Sequence, residues 1–140
     1  MQVKPLTSLI IEPTNTCNLR CTFCFVTEGM TRKEGFMDFG LFKKVINDSP
    51  GLEHLCMHNW GEPLLHPDLV WMVETCKASG CMVSFHTNGL LLDEAMIEAL
   101  MDADLDGLTI SIDGATPETY KAVRGANLET LIENLTRLHD

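Results

Sequence analysis

Apolar and polar residues alternate in four short stretches of the chain, and this period of two predicts β-strands. The stretches run from Ser8 to Glu12, Glu53 to His58, Met82 to His86 and Gly107 to Ile112. After each of them, apolar residues recur at intervals of three and four, which is typical of helices buried on one face. Each strand–helix step takes about 30 residues, the size of a βαβ unit. The pattern therefore predicts an α/β fold of four units with parallel strands.

Helix boundaries are marked by residues with known end preferences. Asp38 and Thr116 are predicted N-caps, Pro117 suits a first helical position, and Gly80 is a helix stop. A further helix is predicted from about Asp93 to Asp102. The predicted buried faces are Leu41, Phe42, Val45 and Ile46; Leu69, Val70, Val73 and Cys76; Met96, Ile97, Leu100 and Met101; and Leu128, Leu131, Ile132, Leu135 and Leu138.

The third and fourth strands each present one apolar and one polar face. Val83 and Phe85 share a face, and Leu108 and Ile110 do the same one strand later. If these apolar sets pack on helices, the opposite face lines a polar interior that suits a substrate cavity. The expected lining is Ser84, His86, Ser111 and Asp113, together with Cys56 and His58, and the sequence leaves the roles of Cys56, His58 and His86 open.

Composition limits the functional classes. The 140 residues are 45% hydrophobic and suit one packed domain over residues 1–140. A net charge of −10 with no basic stripe argues against binding to nucleic acid. No apolar run approaches the ~18 residues of a membrane span. No secretory signal is recognisable at the N-terminus, so a cytoplasmic location is expected.

Three cysteines lie within eight residues, at a C-x3-C-x2-C spacing: Cys17, Cys21 and Cys24. Three thiolates can hold three irons of a cubane cluster and leave the fourth iron without a protein ligand. The spacing differs from ferredoxin runs and from paired zinc knuckles. The other cysteines, Cys56, Cys76 and Cys81, are expected to be small buried hydrophobic residues.

This triplet resembles the cluster-binding loop of the radical S-adenosylmethionine (radical SAM) enzymes. The resemblance implies that Cys17, Cys21 and Cys24 bind a [4Fe-4S] cluster and that Phe23 lies beside the adenine of S-adenosylmethionine. It also implies a partial, TIM-like (βα) barrel with its chemistry at the carboxyl ends of the strands.

Two later strand ends resemble the family as well. Gly61, Glu62 and Pro63 resemble the element that holds the amino group of the cofactor's methionine part, although Trp60 stands where the family often has a glycine. Asn88, in Thr87-Asn88-Gly89, resembles a turn near the cofactor. For Thr87-Asn88-Gly89, the alternative is an ordinary turn with Asn or Gly at positive φ.

The resemblance continues after the fourth strand. Ser111 and Asp113 resemble groups that face the ribose and methionine ends of the cofactor. Arg124 resembles an arginine that pairs with the cofactor carboxylate, a task suited to its bidentate guanidinium. A surface salt bridge is the alternative for Arg124.

The resemblance implies that the reduced cluster cleaves S-adenosylmethionine and that the resulting 5′-deoxyadenosyl radical abstracts hydrogen from a substrate. A flavodoxin- or ferredoxin-type reductant is then an expected partner. The segment from Ser111 to Gly125 looks most like the peptide-modifying, SPASM-type maturases, which makes a peptide the candidate substrate. A non-catalytic cluster-binding or electron-transfer protein and a zinc-stabilised binding module remain alternatives.

Family cores usually carry six βα units, whereas four are recognisable here. We therefore expect a core that is incomplete at its C-terminus, either a fragment of a longer enzyme or a half-barrel that pairs with a second copy. Auxiliary clusters in such a missing region, and the identity of the substrate, cannot be read from these residues.

Overall fold

Four parallel strands form a single sheet, in sequence order, in the computed structural model, which describes residues 5–139. Each connection between neighbouring strands contains a helix, as parallel pairing requires. The register places Ile10 opposite Cys56 and Cys56 opposite Ser84. The predicted α/β fold is thus confirmed. The strands are β1 Ser8–Ile11, β2 His54–Met57, β3 Met82–Thr87 and β4 Gly107–Ile110.

The helices begin where the capping residues predict. Asp38 accepts a hydrogen bond from the Leu41 backbone N–H at 2.8 Å, and Thr116 forms a reciprocal capping box with Thr119. Gly80 has a φ of 81°, which suits its position after a helix end. The α-helices are α1 Phe25–Glu28, α2 Phe39–Asn47, α3 Leu69–Ala78, α4 Glu94–Asp102, α5 Pro117–Arg124 and α6 Leu128–His139, and Pro63–Leu65 is a 3-10 helix. Neither α1 nor the 3-10 turn was predicted from the sequence.

The sheet has one face covered by helices and one that remains partly accessible. Val83 and Phe85 of β3 are buried in the same core as Phe42 of α2. On the other face of the sheet, Ser84 and His86 are only half-buried. The two faces that alternation predicts for β3 are thus observed, although the accessible face of the sheet also carries the exposed apolar residues Ile10 and Met82.

Four residues of the predicted buried faces are exposed instead: Leu41, Met101, Ile132 and Leu138. In α4 only Leu100 is fully buried, so the contact stripe is narrower than the apolar pattern. In α6 a polar residue, Asn134, occupies part of the buried stripe because its amide donates to the Gly89 carbonyl at 2.9 Å. The apolar period locates these helices but overestimates the width of their buried faces.

The sheet is open within residues 5–139, because β1 and β4 each pair with one strand there. The loops at the carboxyl ends of the strands lie at one edge of this open sheet, where parallel α/β folds place ligands. None of the helices described for this chain is long and apolar enough to cross a bilayer.

Candidate cluster and cofactor site

The loops that follow all four strands meet around a cavity of about 220 Å³. Nine of the eleven predicted site residues line it; the exceptions are Pro63, which is buried in the 3-10 turn, and Asp113, which pairs with a lining residue. The lining ones are Cys17, Cys21, Phe23, Cys24, Gly61, Glu62, Asn88, Ser111 and Arg124.

The cysteine triplet lies in the loop between β1 and α1. Cys24 is the N-cap of α1, and its carbonyl accepts a hydrogen bond from the Thr27 N–H at 2.9 Å. The Leu19 N–H points at the Cys17 sulfur at 3.4 Å. Burial raises the pKa of the Cys17 thiol, and the nearby Glu62 raises it further. Both effects disfavour the thiolate form of Cys17, and a positively charged group bound to the sulfur would offset them.

The three sulfurs are spread apart. Among residues 5–139, only Cys56, His58 and His86 form a group of three or more Cys, His, Asp or Glu donors whose ligand atoms all lie within 4.8 Å of one another. At least one pair of sulfurs in the triplet is therefore more than 4.8 Å apart, whereas sulfurs about 2.3 Å from one zinc ion lie roughly 3.8 Å apart. Cysteines of a cubane bind different irons, so a wider spread favours that cluster.

The C-terminal end of α5 holds the cysteine loop in place. The Thr22 N–H donates to the Val123 carbonyl at 2.9 Å. The Arg124 guanidinium lies 3.6 Å from the Cys21 sulfur and 5.7 Å from the centre of the Phe23 ring. These contacts bring Phe23 and Arg124 together at the cavity wall.

Arg124 is buried and carries one nitrogen without a partner. Its Nη2 forms an ion pair with Asp113, while its Nε has no hydrogen-bond acceptor among the described residues. A buried N–H without a partner is costly, and a bound acceptor would satisfy it. Arg124 thus lines the cavity, and it also forms a salt bridge with the partly exposed Asp113.

Glu62 is a buried carboxylate that joins the loops after β2 and β3. Its Oε1 accepts from the Leu64 N–H at 3.1 Å and from the Thr87 hydroxyl at 2.7 Å, and its Oε2 accepts from the Asn88 N–H at 2.8 Å. Burial raises the pKa of this carboxyl, while these bonds and Arg124 oppose the rise. Since a carboxylate has about four acceptor positions, one position remains for a ligand.

Gly61 is required by a close approach of two backbones. A Cβ at this position would lie 1.9 Å from the Thr14 carbonyl oxygen. Next to it, the Glu62 N–H donates to the Thr16 carbonyl at 2.9 Å. The glycine therefore joins the second loop to the first, while Trp60 packs against Phe25 with ring centres 5.5 Å apart.

The turn after β3 fits both of its predicted interpretations. Gly89 has a φ of 78°, as expected for a turn glycine. Asn88 is buried, and its amide donates to the Asn18 side chain at 2.8 Å. Asn18 lies between the first two cysteines and was missed in the sequence, where only its place inside the triplet could have indicated it.

Cys56 differs from its prediction. Cys76 and Cys81 are fully buried in the core as expected, whereas Cys56 is half-buried beside His58 and His86. The two imidazoles stack with ring centres 4.3 Å apart and an interplanar angle of 13°. Burial lowers the pKa of His86, and His58 lowers it further.

Comparison with known proteins agrees with this geometry. The profile of the radical SAM superfamily matches residues 11–140. The cofactor-modifying protein of a tungsten-containing aldehyde ferredoxin oxidoreductase, from Pyrococcus furiosus, is 36% identical over 108 residues, which are 75% of this chain and 30% of the relative. The PqqA peptide cyclase of Gluconobacter oxydans is 32% identical over 86% of this chain and 34% of its own length. The chain thus spans about a third of the length of these curated relatives.

Solved structures of SuiB from Streptococcus suis share the fold. SuiB bound to S-adenosylmethionine has a TM-score of 0.78 over 93% of this chain and 30% of SuiB. SuiB bound to its precursor peptide SuiA has a TM-score of 0.80 over 97% of this chain and 31% of SuiB. At 18% identity this likeness shows the fold alone.

Proposed function

Because the chain belongs to the radical SAM superfamily, we propose that it binds a [4Fe-4S] cluster and S-adenosylmethionine and provides the catalytic core of a radical enzyme. The observation that carries this proposal is the single cavity in which three cysteine thiols meet the buried charges of Glu62 and Arg124. When bound together, the cluster and S-adenosylmethionine supply a carbon radical that removes a hydrogen atom from a substrate. The chain's own residues bind and orient these groups.

Cys17, Cys21 and Cys24 fit three corners of the cluster. They project from one loop into one cavity, and the spread of their sulfurs suits several irons better than one zinc ion. Arg124 lies 3.6 Å from the Cys21 sulfur and so borders the proposed cluster position. Because no fourth cysteine is predicted for the set, one iron is left for the amino acid part of the cofactor.

Glu62 and Arg124 fit the two charged ends of that amino acid. The remaining acceptor position of Glu62 suits an ammonium group, and the unpartnered Nε of Arg124 suits a carboxylate. Phe23 is exposed at 60%, so its ring is available to cover the adenine. Asn88 and Ser111 complete the polar lining, and Asp113 orients the guanidinium.

We propose a peptide as the substrate class. The support is the similarity to the PqqA peptide cyclase and the shared fold of SuiB, whose structure holds a precursor peptide. A flavodoxin- or ferredoxin-type protein would supply the electron, and a reducing cytoplasm would keep the six cysteines free.

Anaerobic reconstitution tests the cofactor assignment. The purified chain should bind iron and sulfide and, after dithionite and S-adenosylmethionine are added, release 5′-deoxyadenosine. Cys24→Ala should abolish both results because it removes a cluster ligand. Cys81→Ala, which removes a buried thiol outside the cavity, is the matched control and should retain them. A cluster that never cleaves the cofactor would favour an electron carrier, and bound zinc in place of iron would favour a binding module.

Arg124→Lys tests the assigned carboxylate contact. Lysine keeps the charge but loses the Nε–H and the planar fork. We expect unchanged iron content and at least about tenfold weaker binding of S-adenosylmethionine, since a charge-assisted hydrogen bond contributes about 1.5–3 kcal/mol. Arg32→Lys is the control, because Arg32 pairs with Glu12 outside the cavity. Equal affinities of the two variants would remove Arg124 from the cofactor site.

A further inference from the structure

A second group of metal-ligating side chains lies on the polar face of the sheet, apart from the cysteine triplet. Met57 of β2 pairs with Phe85 of β3, so His58 and His86 come next on neighbouring strands. Cys56 precedes His58 by two positions and therefore projects from the same face of the sheet. One ligand atom from each of the three side chains lies within 4.8 Å of the other two.

These three side chains have no other assignment in the described structure. Within residues 5–139, neither imidazole nor the Cys56 thiol makes a hydrogen bond. All three are half-buried. The ligand atoms of the three residues converge on one point of this face. The arrangement therefore suits a shared ligand.

We propose that Cys56, His58 and His86 form a binding site for a single divalent transition metal ion of the zinc type. One thiolate and two imidazoles are ligands that zinc prefers. Zinc bonds of about 2.0–2.3 Å place neighbouring donors roughly 3.3–3.8 Å apart. The two imidazoles are stacked, with 13° between their ring planes, so one ring has to turn about its side-chain bonds before both can bind the same ion in their planes.

Three protein ligands leave one position of a tetrahedral ion open. His58 and His86 line the same cavity as the cysteine triplet, whereas Cys56 lines a separate pocket with His54 and Ser84. An ion held by the two imidazoles would border the cavity proposed to bind the cofactor and substrate. There the ion would bind an amine, carboxylate or thiolate group of a substrate and position it. This role rests on the proposed function, whereas the metal site itself does not.

Zinc retention by the cluster-loaded chain tests the site. The chain is reconstituted with iron and sulfide, incubated with Zn²⁺, desalted and measured by plasma mass spectrometry. We expect one zinc per chain in addition to the iron, and X-ray absorption at the zinc edge should show one sulfur and two imidazole neighbours. Cys56→Ser and His86→Gln should each lose the zinc and keep the iron.

His54→Gln is the matched control. His54 lies on the same strand and the same face as Cys56 but is outside the group, so this variant should retain zinc. Retention of zinc by Cys56→Ser, or its loss from His54→Gln alone, would overturn the proposal.

Cobalt binding provides a second measurement that does not depend on the cluster. In a variant with Cys17, Cys21 and Cys24 all replaced by alanine, Co²⁺ should give ligand-field bands and a thiolate charge-transfer band. Adding Cys56→Ser should abolish the charge-transfer band, and its persistence would contradict the site. Both measurements read metal content, so their outcome is independent of whether the chain cleaves S-adenosylmethionine.

Discussion

Replacing Gly61 with alanine should separate the loops that follow β1 and β2. The new Cβ would lie 1.9 Å from the Thr14 carbonyl oxygen and 2.6 Å from its carbonyl carbon. Because both atoms belong to the backbone, no side-chain rotation can relieve the clash. The contact has to open from 1.9 Å to at least 3.0 Å, the shortest distance that Cβ atoms tolerate.

The expected cost has two parts. Overpacking of this kind typically costs about 1–3 kcal/mol. The same movement strains the hydrogen bond from the Glu62 N–H to the Thr16 carbonyl, and losing it would add about 0.5–1.5 kcal/mol. We therefore expect Gly61→Ala to lower the free energy of unfolding by about 1.5–4.5 kcal/mol.

Gly35→Ala is the matched control. No atom lies within 4 Å of a Cβ built on Gly35, and its φ is not in the left-handed region. Here alanine should leave stability unchanged or raise it by about 0.4–1 kcal/mol, because it restricts the unfolded chain. Anaerobic guanidinium titrations followed by far-ultraviolet circular dichroism compare the variants. If Gly61→Ala were as stable as Gly35→Ala, the close approach of the two loops would be wrong.

Three further predictions concern the core, a helix cap and the buried carboxyl. Phe42→Ala should lower the free energy of unfolding by about 3–5 kcal/mol because the ring is fully buried. Leu41→Ala, on the exposed side of the same helix, should change it by less than about 0.5 kcal/mol; similar losses in guanidinium titrations would contradict the packing of α2. Asp38→Ala should lower the free energy of unfolding by about 1 kcal/mol because it removes the N-cap of α2. Asp38→Asn should keep the wild-type stability, because asparagine is an equally good N-cap. A low unfolding midpoint for both variants would count against capping. The wild-type free energy of unfolding should fall as pH rises above 4.5, the ordinary pKa of Glu62, because burial raises this pKa and the folded chain holds the proton more tightly. Glu62→Gln should remove that slope and cost about 1–3 kcal/mol at neutral pH, because its amide N–H groups meet other donors; a slope that persists across a pH series would assign the titration to another group.

Local periodicity was enough to predict the strands. The alternation around Val83 and Phe85 placed β3 within one residue of its observed end, and Asp38 and Thr116 marked their helices correctly. Such signals are short-range, since capping bonds and side-chain alternation involve residues a few positions apart. The same alternation predicted which face of β3 is buried in the core.

The contacts that assemble the site join distant parts of the chain, and local patterns do not report them. Arg124 contacts Cys21 across 103 residues, and Glu62 reaches the Asn88 N–H across 26. The resemblance predicted which of these residues share a cavity, but not that Glu62 ties two loops together. Alternation placed Cys56, His58 and His86 on one polar lining, but it did not predict that their ligand atoms converge within 4.8 Å.

The contacts between the cysteine loop and the C-terminal end of α5 have a consequence for biosynthesis. Cys21 leaves the ribosome 103 residues before Arg124, the residue that later covers its sulfur. Contacts this far apart in sequence form late, so the nascent chain carries three uncovered thiols while the residues up to Arg124 are synthesised. For the proposed cluster, delivery of iron and sulfide is therefore best timed after α5 has emerged, and oxygen has its easiest access to these thiols before then.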